Sequence, residues 1–159
     1  MKILVVYDSV YGNTEKIAGA IAGAVTPPDE IEVSRASGAG LLSLESANIL
    51  IVGSPTHGGR PVQAVKEFLD RIPAGALGNV AVTSFDTRMS GQDKGVGIRM
   101  LTKVFGYAAG RIADSLKAKG GRLVAEPDGF IVEDREGPLK QGELERAADW
   151  VKTVIAAAK

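Results

Sequence analysis

The residues best suited to chemistry near the start of this chain are small, hydroxyl and amide residues at positions 9–14. They join an apolar run at residues 1–7 to a helical pattern that opens near Glu15. The first N–H groups of a helix have no intrahelical acceptor, and the peptide dipoles place partial positive charge there. A phosphate can therefore bind such a helix start without a lysine. The spacing predicts an anion-binding loop formed by Ser9, Val10, Tyr11, Gly12, Asn13 and Thr14.

The residue types within this loop suit that interpretation, and one simpler alternative stays open. Gly12 allows a tight turn, and Ser9, Asn13 and Thr14 offer side-chain donors. The alternative is an ordinary helix N-cap, in which Asn13 or Thr14 caps the helix and nothing is bound. The loop lacks the G-x-x-x-x-G-K-[ST] and G-x-G-x-x-G patterns of two common nucleotide-binding loops.

Two further short groups, which contain several polar residues, lie at the ends of later apolar runs. The first includes the single histidine of the chain, and the second includes an arginine that we expect either to be solvated or to pair with Asp86 or Asp93. The first group is Ser54, Pro55, Thr56, His57, Gly58 and Gly59, and the second is Phe85, Asp86, Thr87 and Arg88.

The residue types present in the chain exclude several kinds of catalytic and metal site. The chain has no cysteine, which excludes disulfides, thiolate metal sites, iron–sulfur clusters and cysteine nucleophiles, and one histidine cannot form a multi-histidine metal site. It has no G-x-S-x-G motif, and no carboxylate pair can be assigned an acid–base role. Redox chemistry carried by a bound cofactor needs no catalytic side chain, so we predict neither catalytic residues nor metal ligands.

Length and charge bound the class of protein. The 159 residues fit a single domain, 1–159, with room for a substantial core. With 19 basic and 19 acidic residues, the chain has no net field to attract nucleic acid or an anionic membrane. We expect the first residues to form a strand rather than a signal peptide, and no run approaches the ~20 apolar residues of a membrane span. We expect a soluble cytoplasmic protein that binds no nucleic acid and does not insert into membranes.

Strand-like and helical patterns alternate along the whole chain. The apolar, β-branched runs predict strands at 2–8, 31–35, 48–54, 79–85 and 122–134, the last with a bulge or break around residues 127–129. The helical periodicity predicts helices from near Glu15 to the Pro27-Pro28 pair and at 61–72, 96–119 and 143–158.

For the last helix and the turn before it, we predict which residues are buried and which are exposed. The helix is expected to bury one face, and Trp150 is expected to have a half-buried packing role. The charge run at residues 133–136 is expected to be a solvated turn. The predicted buried face consists of Leu144, Ala148, Val151 and Ile155.

This alternation predicts an α/β protein with a five-stranded, doubly wound parallel sheet and helices on both faces. In such sheets, ligands bind beyond the carboxyl ends of the strands, where the strand order reverses. The loops after the first, third and fourth strands, which begin near Ser9, Ser54 and Phe85, would converge there.

With the loops placed in this way, the sequence resembles the flavodoxins over essentially its whole length. Ser9-x-Tyr11-Gly12-Asn13-Thr14 is similar to their phosphate loop, usually T/S-x-T-G-N-T, and Ser54-Pro55-Thr56-x-Gly58 is similar to their first flavin loop. The fifth strand has no room for the long insertion of long-chain members. The resemblance is therefore to the short-chain type, and it implies the flavodoxin-like strand order 2-1-3-4-5.

The resemblance also implies FMN as the cofactor. Its phosphate would lie at residues 9–14, and its isoalloxazine ring would lie between residues 56–59 and 85–88. In the family, the peptide after the first-loop aromatic residue turns over when the flavin is reduced. Here that peptide would be His57-Gly58, where glycine permits the change.

The sequence departs from the family pattern in three ways. His57 stands where the family commonly has an aromatic residue in the first flavin loop, and the third loop has no tyrosine or tryptophan. Tyr11 replaces the usual threonine of the phosphate loop. The chain is also neutral, whereas well-known flavodoxins are strongly acidic.

The leading functional hypothesis is an FMN-binding electron-transfer protein that shuttles electrons between soluble redox partners, a reductase and an acceptor. The first alternative is an FMN-dependent NAD(P)H:quinone-type oxidoreductase, which the missing aromatic residues and the neutral charge favour. The second is a flavin-free flavodoxin-like interaction domain. We expect an electron carrier rather than an enzyme with its own substrate, and the oligomeric state stays open.

Overall fold

The computed structural model describes residues 1–90 and 106–159, which include six strand segments in one parallel sheet. The strand order is β2-β1-β3-β4-β5, and β6 pairs with β4 as well. The strands are β1 (Lys2–Tyr7), β2 (Glu30–Arg35), β3 (Ile49–Pro55), β4 (Ala81–Met89), β5 (Arg122–Leu123) and β6 (Asp128–Val132). The predicted doubly wound fold and its strand order are confirmed.

Helices cover both faces of this sheet. In the described ranges they are α1 (Asn13–Gly23), α2 (Leu41–Glu45), α3 (Gln63–Arg71), α4 (Ala108–Ala118) and α5 (Glu143–Ala158), with a short 3₁₀ turn at Ala36–Gly38. Within those same ranges, no helix combines the length and the apolar character needed to cross a membrane.

Strand β1 shows why the sheet is covered on both sides. Successive side chains of a strand point to opposite faces. Ile3, Val5 and Tyr7 therefore pack with the apolar faces of α1 and α5, while Leu4 and Val6 pack with α3 and α4. Both sets are buried, which explains why the strand is an uninterrupted apolar run.

The last strand position of the sheet is divided between two segments. β5 pairs with the start of β4, and β6 pairs with its second half, at Phe85–Met89. Between the segments, the Thr83 hydroxyl donates a hydrogen bond to the Ala125 carbonyl at 2.9 Å. A side chain thus satisfies a backbone group where the ladder is interrupted. A break was predicted around residues 127–129, and the structure places it at 124–127.

Strand β4 extends further than predicted. The sequence places its end at Phe85, but the strand continues to Met89 because β6 pairs with residues 85–89. The polar residues Asp86 and Arg88 are tolerated inside the strand because they bond to each other. The predicted third loop therefore starts four residues later.

Helix boundaries also differ in detail. Helix α1 starts at Asn13 rather than near Glu15, and α3 starts at Gln63, so Pro61 precedes the helix and does not lie in its first turn. Of the predicted helix at 96–119, the structure gives Ala108–Ala118, and residues 96–105 lie outside the described residues.

Helix α5 has the predicted bounds but buries a different face. Val151 is buried as expected, whereas Leu144 is 42% exposed. Trp150 lies in the core, where its ring packs edge-to-face with Phe85 and Phe130 at centroid distances of 6.1 and 6.0 Å. These three rings fix the helix against the sheet, and the expectation of a packing role for Trp150 is confirmed.

Candidate functional site

The carboxyl ends of β1, β3, β4 and β6 open onto one cleft. The phosphate-loop, β3 and β4 segments that the sequence singled out all contribute to it, and the end of β6 adds a fourth wall. The lining residues are Ser9, Val10, Tyr11, Asn13, Thr14, Pro55, Thr56, His57, Thr87, Arg88, Met89, Val132 and Arg135.

One side of the cleft is the N-terminal end of α1. Gly12 is its N-cap with φ +92°, a left-handed conformation that favours glycine. The Ser9 hydroxyl accepts hydrogen bonds from the N–H groups of Gly12 (3.0 Å) and Glu15 (3.3 Å).

After Ser9, four other N–H groups of this loop have no acceptor within the part of the chain that the structure describes. Such groups, at the positive end of a helix dipole, form an anion-binding concavity. Their carriers, Val10, Tyr11, Asn13 and Thr14, all line the cleft.

Two carboxylates beside this helix start would repel an anion, but Arg35 pairs with both. Its guanidinium donates hydrogen bonds to Asp8 Oδ1 at 3.0 Å and to Glu15 Oε2 at 3.2 Å. It also donates to the Ser9 carbonyl at 3.3 Å, so it holds the start of the loop in place. The two acidic charges are therefore partly compensated next to the N–H groups.

The side chains of Asn13 and Thr14 are engaged by other parts of the protein. Asn13 Nδ2 donates a hydrogen bond to the Glu136 carbonyl at 3.1 Å, and the hydroxyls of Thr14 and Thr87 lie 2.8 Å apart. Both residues are buried. Their hydrogen bonds join α1 to β4 and to the turn after β6, and the expectation that both side chains donate to a ligand stays a prediction.

A tight hairpin at the end of β3 forms the second side of the cleft. His57 and Arg60 exchange backbone hydrogen bonds of 2.9 and 3.1 Å around Gly58 (φ +59°) and Gly59 (φ +77°). Two positive φ angles are typical of a type I′ turn, which requires glycine-like residues. Thr56 and His57 line the cleft, whereas the two glycines form the tip of the hairpin and are not among its lining residues.

This hairpin changes one expectation about the His57-Gly58 peptide. The His57 carbonyl accepts the hydrogen bond from the Arg60 N–H. Turning that peptide over must break this bond, so glycine at 58 is not by itself sufficient for the change.

Ser54 does not reach the cleft. Its fully buried hydroxyl donates to the Pro55 carbonyl at 2.8 Å and accepts from the Val62 N–H at 3.0 Å. Since Val62 is the N-cap of α3, Ser54 holds the start of that helix. Its role in this structure is to connect β3 with α3.

The predicted third group is divided between the cleft and the core. Thr87 and Arg88 line the cleft, but Phe85 is fully buried in the core with Phe130 and Trp150. The placement of the Phe85 ring beside a ligand is therefore corrected. Phe85 and Thr87 share one face of β4, and the Phe85 ring, two residues further from the end of the strand, packs edge-to-face against Phe130 and Trp150.

Asp86 lies behind the cleft and connects β4 to α4. Its carboxylate receives hydrogen bonds from Arg88 at 2.6 and 2.8 Å and from the Ala109 N–H, in the first turn of α4, at 2.9 Å. Burial raises the pKa of Asp86 above its ordinary value of 3.8, against the lowering effect of Arg88, Ala109 N–H and the Thr56 hydroxyl. Asp86 thus anchors the helix rather than a ligand.

Arg88 is held on three sides. Besides its two bonds to Asp86, its guanidinium carbon lies 3.5 Å from the centroid of the Tyr107 ring. On the third side it lies against Gly129, where a Cβ would overlap its guanidinium group. The expected pairing with Asp86 is confirmed, and the charge of Arg88 at the cleft is compensated by that carboxylate.

Sequence reasoning missed three lining residues, Met89, Val132 and Arg135. Met89 and Val132 line the cleft because β4 and β6 pair up to their ends. Arg135 belongs to the charge run expected to be a solvated turn. The run is exposed, but Asn13 holds it against α1 through the Glu136 carbonyl. The signal in the sequence was the single cation among three acidic residues at 133–136.

The sheet and its cleft define a class of protein. An open parallel α/β sheet carries a cleft at its carboxyl edge, with free N–H groups of a helix start on one side and two strand ends on the other. That donor set fits a phosphorylated ligand such as a nucleotide cofactor.

A family model described as Flavodoxin domain matches residues 4–124. The chain therefore belongs to the flavodoxin domain family, and the resemblance seen in the sequence is confirmed. Membership implies a flavin as the cofactor of this cleft.

Similar solved structures agree on the fold. Oxidised flavodoxin 1 from Bacillus cereus has a TM-score of 0.75 and 20% identity and covers 98% of each chain. A short-chain flavodoxin associated with a non-canonical PDU bacterial microcompartment has a TM-score of 0.76 and 16% identity and covers 100% of this chain and 99% of its own. A flavodoxin from the domain Archaea has a TM-score of 0.72 and 19% identity over 100% of both chains. A search of curated proteins gave no match.

Proposed function

We propose that the flavin of this protein is FMN and that the bound flavin carries electrons between soluble redox proteins. The observation that carries the proposal is that one cleft joins the free N–H groups at the start of α1 to the ends of β3 and β4. FMN differs from riboflavin by a phosphate, and that phosphate is the group such N–H groups bind.

The phosphate would be held mainly by main-chain donors. The N–H groups of Val10, Tyr11, Asn13 and Thr14 supply them, and Arg35 compensates the nearby carboxylates of Asp8 and Glu15. The chain therefore binds the anion with the helix dipole rather than with a lysine.

The flavin ring would lie between the β3 hairpin and the end of β4. Pro55, Thr56 and His57 form one wall there, and Thr87 and Met89 form the other. Tyr11 is the one tyrosine, tryptophan or phenylalanine among the described lining residues. The bound flavin would supply the redox chemistry, and the chain would bind it, orient it and exclude water from one side.

The rim of the cleft supports an electron carrier. Val10 and Tyr11 are 52% and 41% exposed, and His57 is exposed as well. An apolar, accessible rim beside a cofactor suits brief contact with a partner protein. The lining residues within 1–90 and 106–159 include no carboxylate.

A matched pair of glycines provides the test. Gly12 and Gly142 are both helix N-caps at φ +92°, and a Cβ at either would meet no atom within 4 Å. Alanine strains the backbone at both positions to a similar extent. Only Gly12 lies in the phosphate loop, between the lining residues Tyr11 and Asn13, so Gly12→Ala is expected to weaken FMN binding while Gly142→Ala leaves it unchanged.

The measurement is a titration of flavin-free protein with FMN and with riboflavin, followed by flavin fluorescence. We expect FMN to bind at least tenfold more tightly than riboflavin, and Gly12→Ala to reduce that ratio. Equal affinity for the two flavins would contradict the proposed phosphate site. If neither flavin binds, the proposal that the cofactor is FMN is wrong.

The first alternative, an NAD(P)H:quinone-type oxidoreductase, is favoured by the neutral charge and by the scarcity of aromatic residues around the ring position. Rapid mixing of the FMN-loaded protein with NADPH or NADH separates the two functions. A carrier is expected to stay oxidised until a separate reductase is added. Prompt loss of flavin absorbance without a reductase would support the enzyme instead.

A further inference from the structure

Two of the described cleft-lining residues carry a permanent positive charge, Arg88 and Arg135, and their situations differ. Arg88 is bonded to the buried Asp86 carboxylate. Arg135 makes no ion pair with any described residue, and only its backbone N–H is bonded, to Asp134 Oδ1 at 2.7 Å. The charge of Arg135 is therefore available to a ligand.

The turn that carries Arg135 is fixed against the phosphate loop. Asn13 Nδ2 donates to the carbonyl of Glu136, the residue after Arg135, at 3.1 Å. Gly137 has φ +113°, and a Cβ there would lie only 2.9 Å from Asn13 Oδ1. The turn is closed on itself by a hydrogen bond from the Gly137 N–H to the Asp134 carbonyl at 3.0 Å. The turn thus lies so close to the first turn of α1 that a side chain larger than that of Gly137 would crowd Asn13.

We infer that Arg135 is a phosphate-binding residue, which makes the turn at 133–137 part of the anion site. This inference rests on the proposed function, since it assigns the side chain to the phosphate of FMN. A guanidinium suits a phosphate because it donates two parallel hydrogen bonds to its oxygens. It adds a full charge to the partial charge of the helix start.

The surrounding charges increase the contribution expected of Arg135. Glu133, Asp134 and Glu136 lie on the same turn and are exposed. Without the arginine, this turn would present only negative charge beside a dianionic phosphate. Loss of Arg135 should therefore remove an attraction and leave a repulsion unbalanced.

Comparing the affinities for FMN and riboflavin distinguishes a contact of Arg135 with the phosphate from a contact with the flavin ring. If Arg135 contacts the phosphate, its removal weakens FMN binding and leaves riboflavin binding unchanged. If it contacts the ring instead, both flavins lose affinity together. Since counter-charges are screened by salt, the affinity of FMN should also depend on ionic strength more in the wild type than in the variant.

The experiment compares Arg135→Gln and Arg135→Lys with Arg60→Gln. Arg60 is an exposed cation on the β3 hairpin and does not line the cleft, so it controls for the loss of one positive charge. Dissociation constants for FMN and riboflavin are measured at low and high salt, and the melting temperature of flavin-free protein reports whether each variant is folded.

We expect Arg135→Gln to weaken FMN binding at least tenfold at low salt, to leave riboflavin binding within twofold and to flatten the salt dependence. Arg135→Lys should recover part of the affinity, and Arg60→Gln should behave as the wild type. An unchanged ratio of FMN to riboflavin affinity in Arg135→Gln would overturn the inference, as would equal losses for both flavins. Failure of the wild type to bind FMN would instead reject the proposed function.

Discussion

The hydroxyl oxygens of Thr14 and Thr87 lie 2.8 Å apart in the interior, where they join the first turn of α1 to β4. Both residues are buried, at 1% and 5% exposure. Both also line the cleft, so one hydrogen bond fixes the spacing between the helix start and the strand end that form its two sides.

For this pair we expect the losses in the free energy of unfolding caused by substitution to be strongly non-additive. Thr14→Val or Thr87→Val alone leaves the partner hydroxyl buried without its hydrogen bond, at a cost of roughly 1–3 kcal/mol. The double variant replaces both hydroxyls with methyl groups and should cost clearly less than the sum of the single changes. Urea unfolding of the four flavin-free proteins measures the coupling, and strictly additive losses would contradict the role of this hydrogen bond.

Removing Arg88 should be costly because it leaves Asp86 buried and unpaired. Arg88→Met is expected to reduce the free energy of unfolding at neutral pH by about 3–5 kcal/mol. Lys117→Met, which breaks an exposed pair with Asp114, is the control and should change stability little. Chemical unfolding of both variants measures the difference.

The stability of Arg88→Met relative to the wild type should depend on pH. Burial holds the pKa of Asp86 above 3.8 in the folded state, and losing Arg88 raises that pKa further. A group with a raised folded pKa contributes stability that is present at low pH and lost as the pH rises through that pKa. The deficit of Arg88→Met relative to the wild type should therefore shrink on acidification, and a deficit independent of pH would refute the buried ion pair as its cause.

Two glycine-to-alanine changes should have opposite signs. A Cβ at Gly53 would overlap the buried Phe85 ring, so Gly53→Ala should destabilise the protein by about 1–3 kcal/mol. Gly19 is an exposed position inside α1 with no atom near its Cβ direction, so Gly19→Ala should stabilise the protein by roughly 0.5–1 kcal/mol. Thermal unfolding tests both, and a neutral Gly53→Ala would show that the Phe85 ring can move aside.

Glu143 should contribute to stability in a pH-dependent way. Burial alone would raise its pKa, but hydrogen bonds from Arg146 and the Ile131 N–H bring the pKa below its ordinary 4.5. A lowered folded pKa gives stability that is present above pH 4.5 and lost as the pH falls through the folded pKa. The advantage of the wild type over Glu143→Gln should therefore disappear in acid.

The control for that experiment lies in the same helix turn. Glu145 shares the first turn of α5 but is exposed. Glu145→Gln should report the helix-dipole effect without the buried bonds, so its pH dependence should be weaker. Stability measured against pH for the two variants and the wild type distinguishes these effects, and matching profiles would assign the effect to the dipole alone.

Local periodicity was sufficient to predict the architecture. The apolar runs that became β1 and β3 are covered on both faces, so their sequences carry the signal of a parallel sheet without any distant information. The phosphate loop was visible for the same reason, because Gly12 and its neighbours are contiguous in the chain. Strand order followed from the resemblance and is confirmed.

The features that were missed depend on contacts with other elements of the fold. The pairing of Arg88 with Asp86 was one of the expected outcomes, but the continuation of β4 through these residues depends on pairing with β6, and the bond from the Ala109 N–H to Asp86 depends on α4. The buried face of α5 is rotated because Glu143 is drawn inward by Arg146 and the Ile131 N–H, which leaves Leu144 exposed. Arg135 reaches the cleft only because its turn folds back onto α1.

The contact between Gly129 and Arg88 has a consequence for how this sequence can vary. The guanidinium occupies the volume that any side chain at 129 would need, and Tyr107 blocks its other face. Substitutions at 88 and 129 should therefore be inherited together: relatives with arginine at the first position keep glycine at the second, and those that lose the arginine are released from that constraint. The pair is expected to appear as correlated columns when related sequences are compared.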